Sequence, residues 1–526
     1  MTGTQRRILL AAILGSSIVF LDSTIVNVAL PRIGAELPTS FLGVLEGQTY
    51  VVAGYMATLA ALLILAGALG DQYGRRRTFA IGLTGFVAAS AACGLAPSLE
   101  ALVLARILQG VAGALLVPGS LAIITATFDG EQRGRAFGIW AAATAAMNLL
   151  GPVLGGILVA SLSWRVAFLI NLPIGAAAVW LTLRFVPETR RSDRRSLDWL
   201  GAIVVAIAVG GLSFGAIRGQ EKNWTEPGAI LALALGAVAA IIFPFLMARR
   251  PEPLVPLSLF RNVRFAAINL STLLIYGALY VFGSFQSLFL QGALGYSPLG
   301  SALIGVPVTI QLTLLSARVG TLAARIGARR FLVAGPALMA ISMLLWARIP
   351  SDAQPWRATI EDPASLIPPL DTILGPVAAM LVFGFGIAMV VAPLTTTLMS
   401  SVPVDRAGLG SAINNAISRV GQPLVSAAVF IAVTGSFYAA LAAAAPGLDP
   451  SDPGLRASIQ PLNPPPPGTP EVLVRAARIA STDAFHLAAL VSAALLVAGG
   501  LVNWYGLRSL DGASPKRGAA PAPSGG

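Results

Sequence analysis

The chain has 526 residues, of which 56% are hydrophobic and only 11% charged, with a mean hydropathy of +0.79. Soluble domains carry about 25% charged residues, so an ordinary water-soluble globular chain is excluded. A single cysteine, Cys93, excludes an internal disulfide and a cysteine-built metal site, and the net charge of +12 has to be located before it is assigned to any partner.

A membrane-crossing helix needs roughly 20 mostly apolar residues. Fourteen such runs follow one another, at about 8–30, 47–69, 78–97, 100–127, 136–160, 165–186, 198–217, 228–247, 265–290, 298–317, 331–349, 370–398, 409–443 and 484–507. The first has two arginines ahead of an apolar stretch, like a signal peptide. Asp22 and Asn27 interrupt it, however, and no small-residue cleavage pattern follows, so an uncleaved first helix is expected. Spans 1–6 form a block closed by the arginine-rich segment 187–197. Spans 7 and 8 are a plain hydrophobic pair, and spans 9–14 follow the segment 249–264. The expected organisation is a six-helix bundle over 1–197, two linker helices over 198–247, a second six-helix bundle over 248–510 and a disordered tail over 511–526. The fold class is therefore an all-α polytopic membrane protein of fourteen helices, with two pseudo-symmetric bundles and two extra helices. Two connecting segments, 350–369 and 445–483, are rich in Pro, Asp and Ser and are expected to be extended and exposed.

With the N-terminus placed in the cytoplasm, 24 of the 35 Lys and Arg residues fall on the cytoplasmic side and nine on the outer side. The remaining two, Arg106 and Arg419, lie inside spans. That asymmetry fits the positive-inside rule with both termini cytoplasmic. The basic charge thus reads as a topology signal, and nucleic acid is not an expected partner.

Two loops share a pattern. Gly67, Leu69, Gly74, Arg76 and Arg77 return 253 residues later as Gly320, Leu322, Gly327, Arg329 and Arg330. Each copy follows the second span of its block, so the repeat is in register with a six-plus-two-plus-six plan, and secondary transporters are commonly built from such repeats. Within the first copy, Gly67 and Gly74 permit close helix approach and unusual backbone angles. Asp71 beside Arg75 and Arg76 can form an inter-helix charge network that breaks when the molecule changes state. A topology determinant with no moving part is the alternative for the arginines; Asp71 between two glycines favours an inner gate. The second copy has Ala324 in place of the acid and is expected to act mostly as an anchor.

Asp22 lies near the middle of span 1, where an aspartate costs about 2.5–3.5 kcal/mol on insertion scales. Arg106 lies about two turns into span 4 and needs a carboxylate, carbonyls or water. The two are candidates for proton coupling, against a structural carboxyl bonded to Asn27 or a neighbouring helix and an arginine snorkelling to the surface. In span 5, Gly151, Pro152, Gly155 and Gly156 predict a bent helix with a smooth face suited to a sliding interface. Helix position alone nominates Asn148, Tyr276, Tyr280, Gln286 and Gln311 for a substrate cavity between the halves; Asn414 and Arg419 make span 13 unusually polar and are nominated for the same cavity, against first turns that lie in the cytoplasm. No phosphate-cradling Gly-x-x-x-x-Gly-Lys-Ser/Thr motif and no nucleophile–base arrangement is present, so neither an ATP motor nor an enzyme is expected.

These motifs resemble those of the major facilitator superfamily, within it the fourteen-helix branch of drug/proton antiporters. Leu21 to Pro31 is similar to the branch's span 1 signature, Gly67 to Arg77 to the superfamily's loop motif, and Leu102 to Gly113 to the span 4 motif with its essential arginine. Gly151 to Gly156 is similar to the span 5 motif of exporters, and Asp405 to Gly421, with Arg406 and Gly408, to the branch's span 13 region. The resemblance covers roughly 8–508 and implies alternating access by two halves, with export of amphipathic small molecules in exchange for protons. On it, Asp22 and Arg106 are coupling residues, Asp71 with its glycines is the inner gate, and the proton gradient replaces any cofactor. A dedicated exporter of one endogenous product such as an antibiotic, lipid or siderophore is the alternative, and a non-transporting membrane sensor a more distant one. A periplasmic adaptor and an outer-membrane channel are compatible partners. Span 2 departs from the family pattern at Tyr50 to Tyr55, which leaves the substrate open.

Overall fold

The computed structural model describes residues 1–40, 44–189, 197–221, 224–359, 361–445, 448–466 and 468–508. Within its helices the side chains of Asn27, Glu46, Asn148, Pro152 and Gly156 lie outside the described set, as does the predicted tail. A chain this apolar must satisfy its backbone polar groups internally, and every long element among the described residues is a helix. The helices are α1 (Gly3–Glu36), α2 (Val44–Tyr73), α3 (Arg75–Gly94), α4 (Leu99–Thr127), α5 (Gly130–Ser161), α6 (Val166–Phe185), α7 (Trp199–Glu221) and α8 (Pro227–Arg249). They continue as α9 (Val263–Ala293), α10 (Pro298–Ile326), α11 (Ala328–Trp346), α12 (Ala378–Ser400), α13 (Ala407–Ala444) and α14 (Glu471–Gly506).

Thirteen candidate membrane spans are found among the described residues. The remaining helix, α5, stands at the predicted fifth position and has 32 residues, about 48 Å of helix. Local sequence explains several ends. Thr2 and Gln5 close a reciprocal capping box at the start of α1, with Thr2 Oγ1 accepting from the Gln5 N–H at 3.2 Å and Gln5 Oε1 from the Thr2 N–H at 2.9 Å. Ser98 caps α4 by accepting from the Ala101 N–H at 3.2 Å. Helix α6 is broken at Ile170, which puts Asn171 at the start of its longer piece.

Two sets of six pack mainly within themselves, α1–α6 and α9–α14. The sets meet along α2 against α13 and α5 against α10. Counted within each set, these are second against fifth and fifth against second, so the two seams are related by the same pseudo-symmetry as the loop repeat. The α7–α8 pair docks through α7 onto α2 and α13, with Tyr50 stacked on Phe214 at 6.5 Å between ring centroids. Among the described residues the helices make an even number of crossings, so the start of α1 and the end of α14 share one face, called here the terminal face.

The long segments on the opposite face depart from the extended, exposed chain expected. Trp356, Ile459 and Leu462 are buried. The Trp356 indole N–H donates to the Ser365 carbonyl at 2.8 Å, and the Trp356 carbonyl accepts from the Ser297 N–H at 3.1 Å. The Leu462 N–H donates to Ser481 Oγ at 3.2 Å. A few apolar anchors, diluted by proline in the composition, tie both segments down onto the second set.

Candidate functional site

Two polar centres lie in the interior of the helix sets. The first joins α1, α2, α3, α4 and α6. Asp22 is fully buried and Arg106 is 1% exposed, and Arg106 Nη1 lies 2.5 Å from Asp22 Oδ2. The other carboxylate oxygen accepts from Gln109 Nε2 at 3.0 Å and Asn171 Nδ2 at 2.9 Å. The guanidinium also donates to Gln109 Oε1 at 2.6 Å and, through Nε, to the Val51 carbonyl at 3.1 Å. Its remaining face lies 4.0 Å over the Tyr55 ring. Asn171 bonds onward to Ser90 at 3.0 Å. Removing one partner of so buried a pair costs roughly 3–5 kcal/mol, because the other charge is left uncompensated. Arg106 therefore does not snorkel, and Asp22 bonds to α4 and α6.

The second centre is at the terminal face, where the two sets touch. Asp71, near the end of α2, is 5% exposed and accepts from the N–H groups of Gly408 at 3.1 Å and Leu409 at 2.8 Å. These donors belong to the first turn of α13, where N–H groups have no intrahelical partner and the helix dipole favours an anion. Arg75 holds the same carboxylate, 3.0 Å from Nη2 to Oδ1, and donates across the seam to the Val404 carbonyl. Gly74 takes φ +111°, and a side chain there would run into the Glu188 carboxylate. That carboxylate accepts from the N–H groups of Arg76 and Arg77, each at 3.1 Å, capping α3. Gly67 lies directly on the Gly408 carbonyl; a Cβ would also stand 2.6 Å from Ala412 Cβ.

The second loop copy makes the equivalent crossing. A Cβ on Gly134 of α5 would lie 2.5 Å from the carbonyl of Gly320 on α10, and Gly138 is as tight against Ala317. The acid missing at Ala324 comes from across the seam, as Glu131 pairs with Arg325 at 2.8 Å. This pair is exposed, 46% and 64% for the two side chains, so it is screened and weak. Glu131, in the solvated first turn of α5, has its carboxyl held below its ordinary value by the hydrogen bond from Arg325. The second copy is thus part of the seam as well as an anchor.

The other nominated residues scatter. Gly151 and Gly155 press α5 onto Thr24 and Ile25 of α1, inside the first set, whereas Gly134 and Gly138 supply the smooth face at the seam. Asn414 turns into the second set, donating to Thr272 Oγ1 at 2.8 Å and Asn269 Oδ1 at 3.2 Å. Gln311 donates to the Leu381 carbonyl of α12 at 3.1 Å. Tyr276 and Gln286 are half-buried on α9, and Tyr280 is 40% exposed. Arg419 reaches across the seam, its Nη1 3.8 Å from Met56 Sδ on α2. Asn148 falls outside the described side chains.

Gln109, Asn171, Glu188 and Glu131 were not singled out in the sequence. Gln109 carried a signal, three residues after Arg106 on the same helical face. The other three lie at helix ends, and only the tertiary packing shows what they touch.

A model of the Major Facilitator Superfamily matches residues 12–426. The chain is 34% identical over 441 residues to multidrug resistance protein Stp of Mycobacterium tuberculosis, covering 84% of this chain and 77% of that one. It is 32% identical over 425 residues to the tetracenomycin C resistance and export protein of Streptomyces glaucescens, covering 80% and 74%. Among solved structures, the proton:xylose symporter XylE superposes with a TM-score of 0.59 at 15% identity over 95% of each chain, a likeness of fold.

Proposed function

This chain belongs to the Major Facilitator Superfamily, and from that premise we propose that it is a proton-driven exporter of drugs or other amphipathic small molecules. Such proteins are transporters and not, in general, enzymes. Export rests on the multidrug and antibiotic efflux relatives. The observation that supports alternating access is the pair of pseudo-symmetric seams, close-packed at the terminal face through glycine crossings and polar contacts that can break. Read with the arginine census, the terminal face is cytoplasmic and the membrane is the bacterial inner membrane, so the arrangement is closed toward the cytoplasm.

Proton coupling falls to Asp22. Protonating it would cancel the ion pair with Arg106, and the surroundings can hold either state. Without Asp22, the guanidinium keeps the Val51 carbonyl, Gln109 and the Tyr55 ring. Each proton charge moved inward supplies about 2.3 kcal/mol per 100 mV, enough to drive uphill export. The tetracenomycin C resistance and export relative favours a second reading, a dedicated exporter of one endogenous product such as an antibiotic.

The test is dye and drug efflux from energised cells. Wild type should extrude substrate and lose extrusion with a proton ionophore. Asp22→Asn and Arg106→Ala should lower efflux about 100-fold while the protein still reaches the membrane. Efflux that ignores the ionophore, or survives both substitutions, would remove proton coupling through this pair.

A further inference from the structure

Between α2, α7, α8, α9 and α13 lies a cavity of about 620 Å³ whose lining residues are all apolar, among them Ile64, Val209, Ala240, Phe243, Leu273 and Ile417. It runs along α13 from Ile413 to Leu424, about 16 Å of helix axis. That is the depth of one leaflet of a bilayer whose hydrocarbon is about 30 Å thick. Helix α8 packs extensively only on α7 among the described residues, which leaves this space walled by protein on several sides but filled by none of it.

At its end toward the terminal face the character changes. Leu257 lines both this groove and a polar cavity of about 480 Å³ at the helix ends. The polar cavity carries Asp71, Asp198, Glu252, Ser258, Arg261 and Arg406. Two of the acids are already engaged. Asp71 is held by α13 and Arg75, and Asp198 accepts from the N–H groups of Gly201 at 2.9 Å and Leu254 at 3.4 Å. Arg261 and Arg406 make no side-chain hydrogen bond or ion pair among the described residues, so two unengaged guanidinium groups stand at headgroup level beside a leaflet-deep apolar groove. Basic pockets between membrane helices at this level suit phosphate headgroups.

We propose that this paired cavity holds one phospholipid of the leaflet at the terminal face, its phosphate between Arg261 and Arg406 and an acyl chain along α13. The assignment does not rest on export or on proton coupling. Native mass spectrometry of the full chain, stripped of lipid in mild detergent and titrated with phosphatidylglycerol, reads it directly. Wild type should retain one tightly held lipid. The Arg261→Gln/Arg406→Gln double variant should bind it at least about tenfold more weakly, while Arg261→Lys/Arg406→Lys retains most of the affinity. Ala240→Trp, which fills the groove from α8, should lose the lipid; if that variant melts early, the arginine arm decides. Millimolar inorganic phosphate should leave the lipid in place. Equal binding by wild type and the glutamine variant would overturn the headgroup assignment. Equal binding by a folded Ala240→Trp, or displacement by phosphate alone, would overturn the acyl-chain site.

Discussion

The two seams are built on the same glycine crossing but are fastened differently. At α2 and α13, Gly67 meets Gly408, and a buried carboxylate on α2 fills the first turn of the facing helix. At α5 and α10, Gly320 meets Gly134, and the charged contact is an exposed ion pair beside the crossing. The difference follows from where the facing helix begins. Helix α13 starts at Ala407, so the N–H groups of Gly408 and Leu409 are first-turn donors needing an acceptor. Helix α5 starts at Gly130, a full turn before Gly134, so its donors at the crossing are already used within the helix. An acid at Ala324 would find no free first-turn N–H groups to accept from. The seams are symmetric sterically and asymmetric electrostatically.

The largest effects should be steric and equal. Gly67→Leu and Gly320→Leu each drive a side chain into a facing backbone carbonyl, so both should hold the terminal face open and reduce efflux by about 100-fold or more. Cysteine accessibility at the seam, with transport measured alongside, checks this. A clear inequality between the two would break the steric symmetry.

Next comes Asp71→Asn, which keeps the shape but removes the charge from the α13 terminus and leaves Arg75 buried beside a neutral group. The closed state should lose roughly 3 kcal/mol, about a 100-fold shift toward opening. Ala324→Asp in the same background should not restore closure. If it did, the argument from the helix starts would be wrong.

The smallest effect belongs to Glu131→Gln, within about twofold in efflux and erased by salt. The sign of its pH dependence follows from the lowered carboxyl value. The contribution is fully present above the ordinary value of 4.5 and is lost only as pH falls through the lowered value in the folded protein. Closure at this seam should therefore be flat with pH above about 5. A midpoint near neutrality in a pH titration of seam accessibility would contradict that.

Much of this was legible because the membrane forces regularity. Fourteen apolar runs of spanning length, the doubled loop and the basic asymmetry are one-dimensional signals, and Asp22, Arg106 and Asp71 announce themselves by being charged where charge is costly. Partners are a different matter. Asp71 binds backbone more than 300 positions away, and no side chain in the sequence marks those N–H donors. The spacing of Gly151 and Gly155 predicts a close helix contact, but which helix they touch depends on rotation of α5, and they face α1. Asn414 and Gln311 were placed in a cavity by position along their helices, yet they face inward to their own set. The proline-rich connections looked extended because averaging hides single anchors such as Trp356 and Leu462.

The most direct test is a distance measured across the terminal face. Spin labels at Arg77 and Arg330, equivalent positions on the two sets, report its opening by double electron–electron resonance once Cys93 is replaced by serine. In the full-length protein, Asp71→Asn should populate a longer distance while Glu131→Gln leaves the wild-type distribution unchanged. An unchanged distribution in Asp71→Asn, or equal lengthening in both variants, would contradict a gate centred on Asp71.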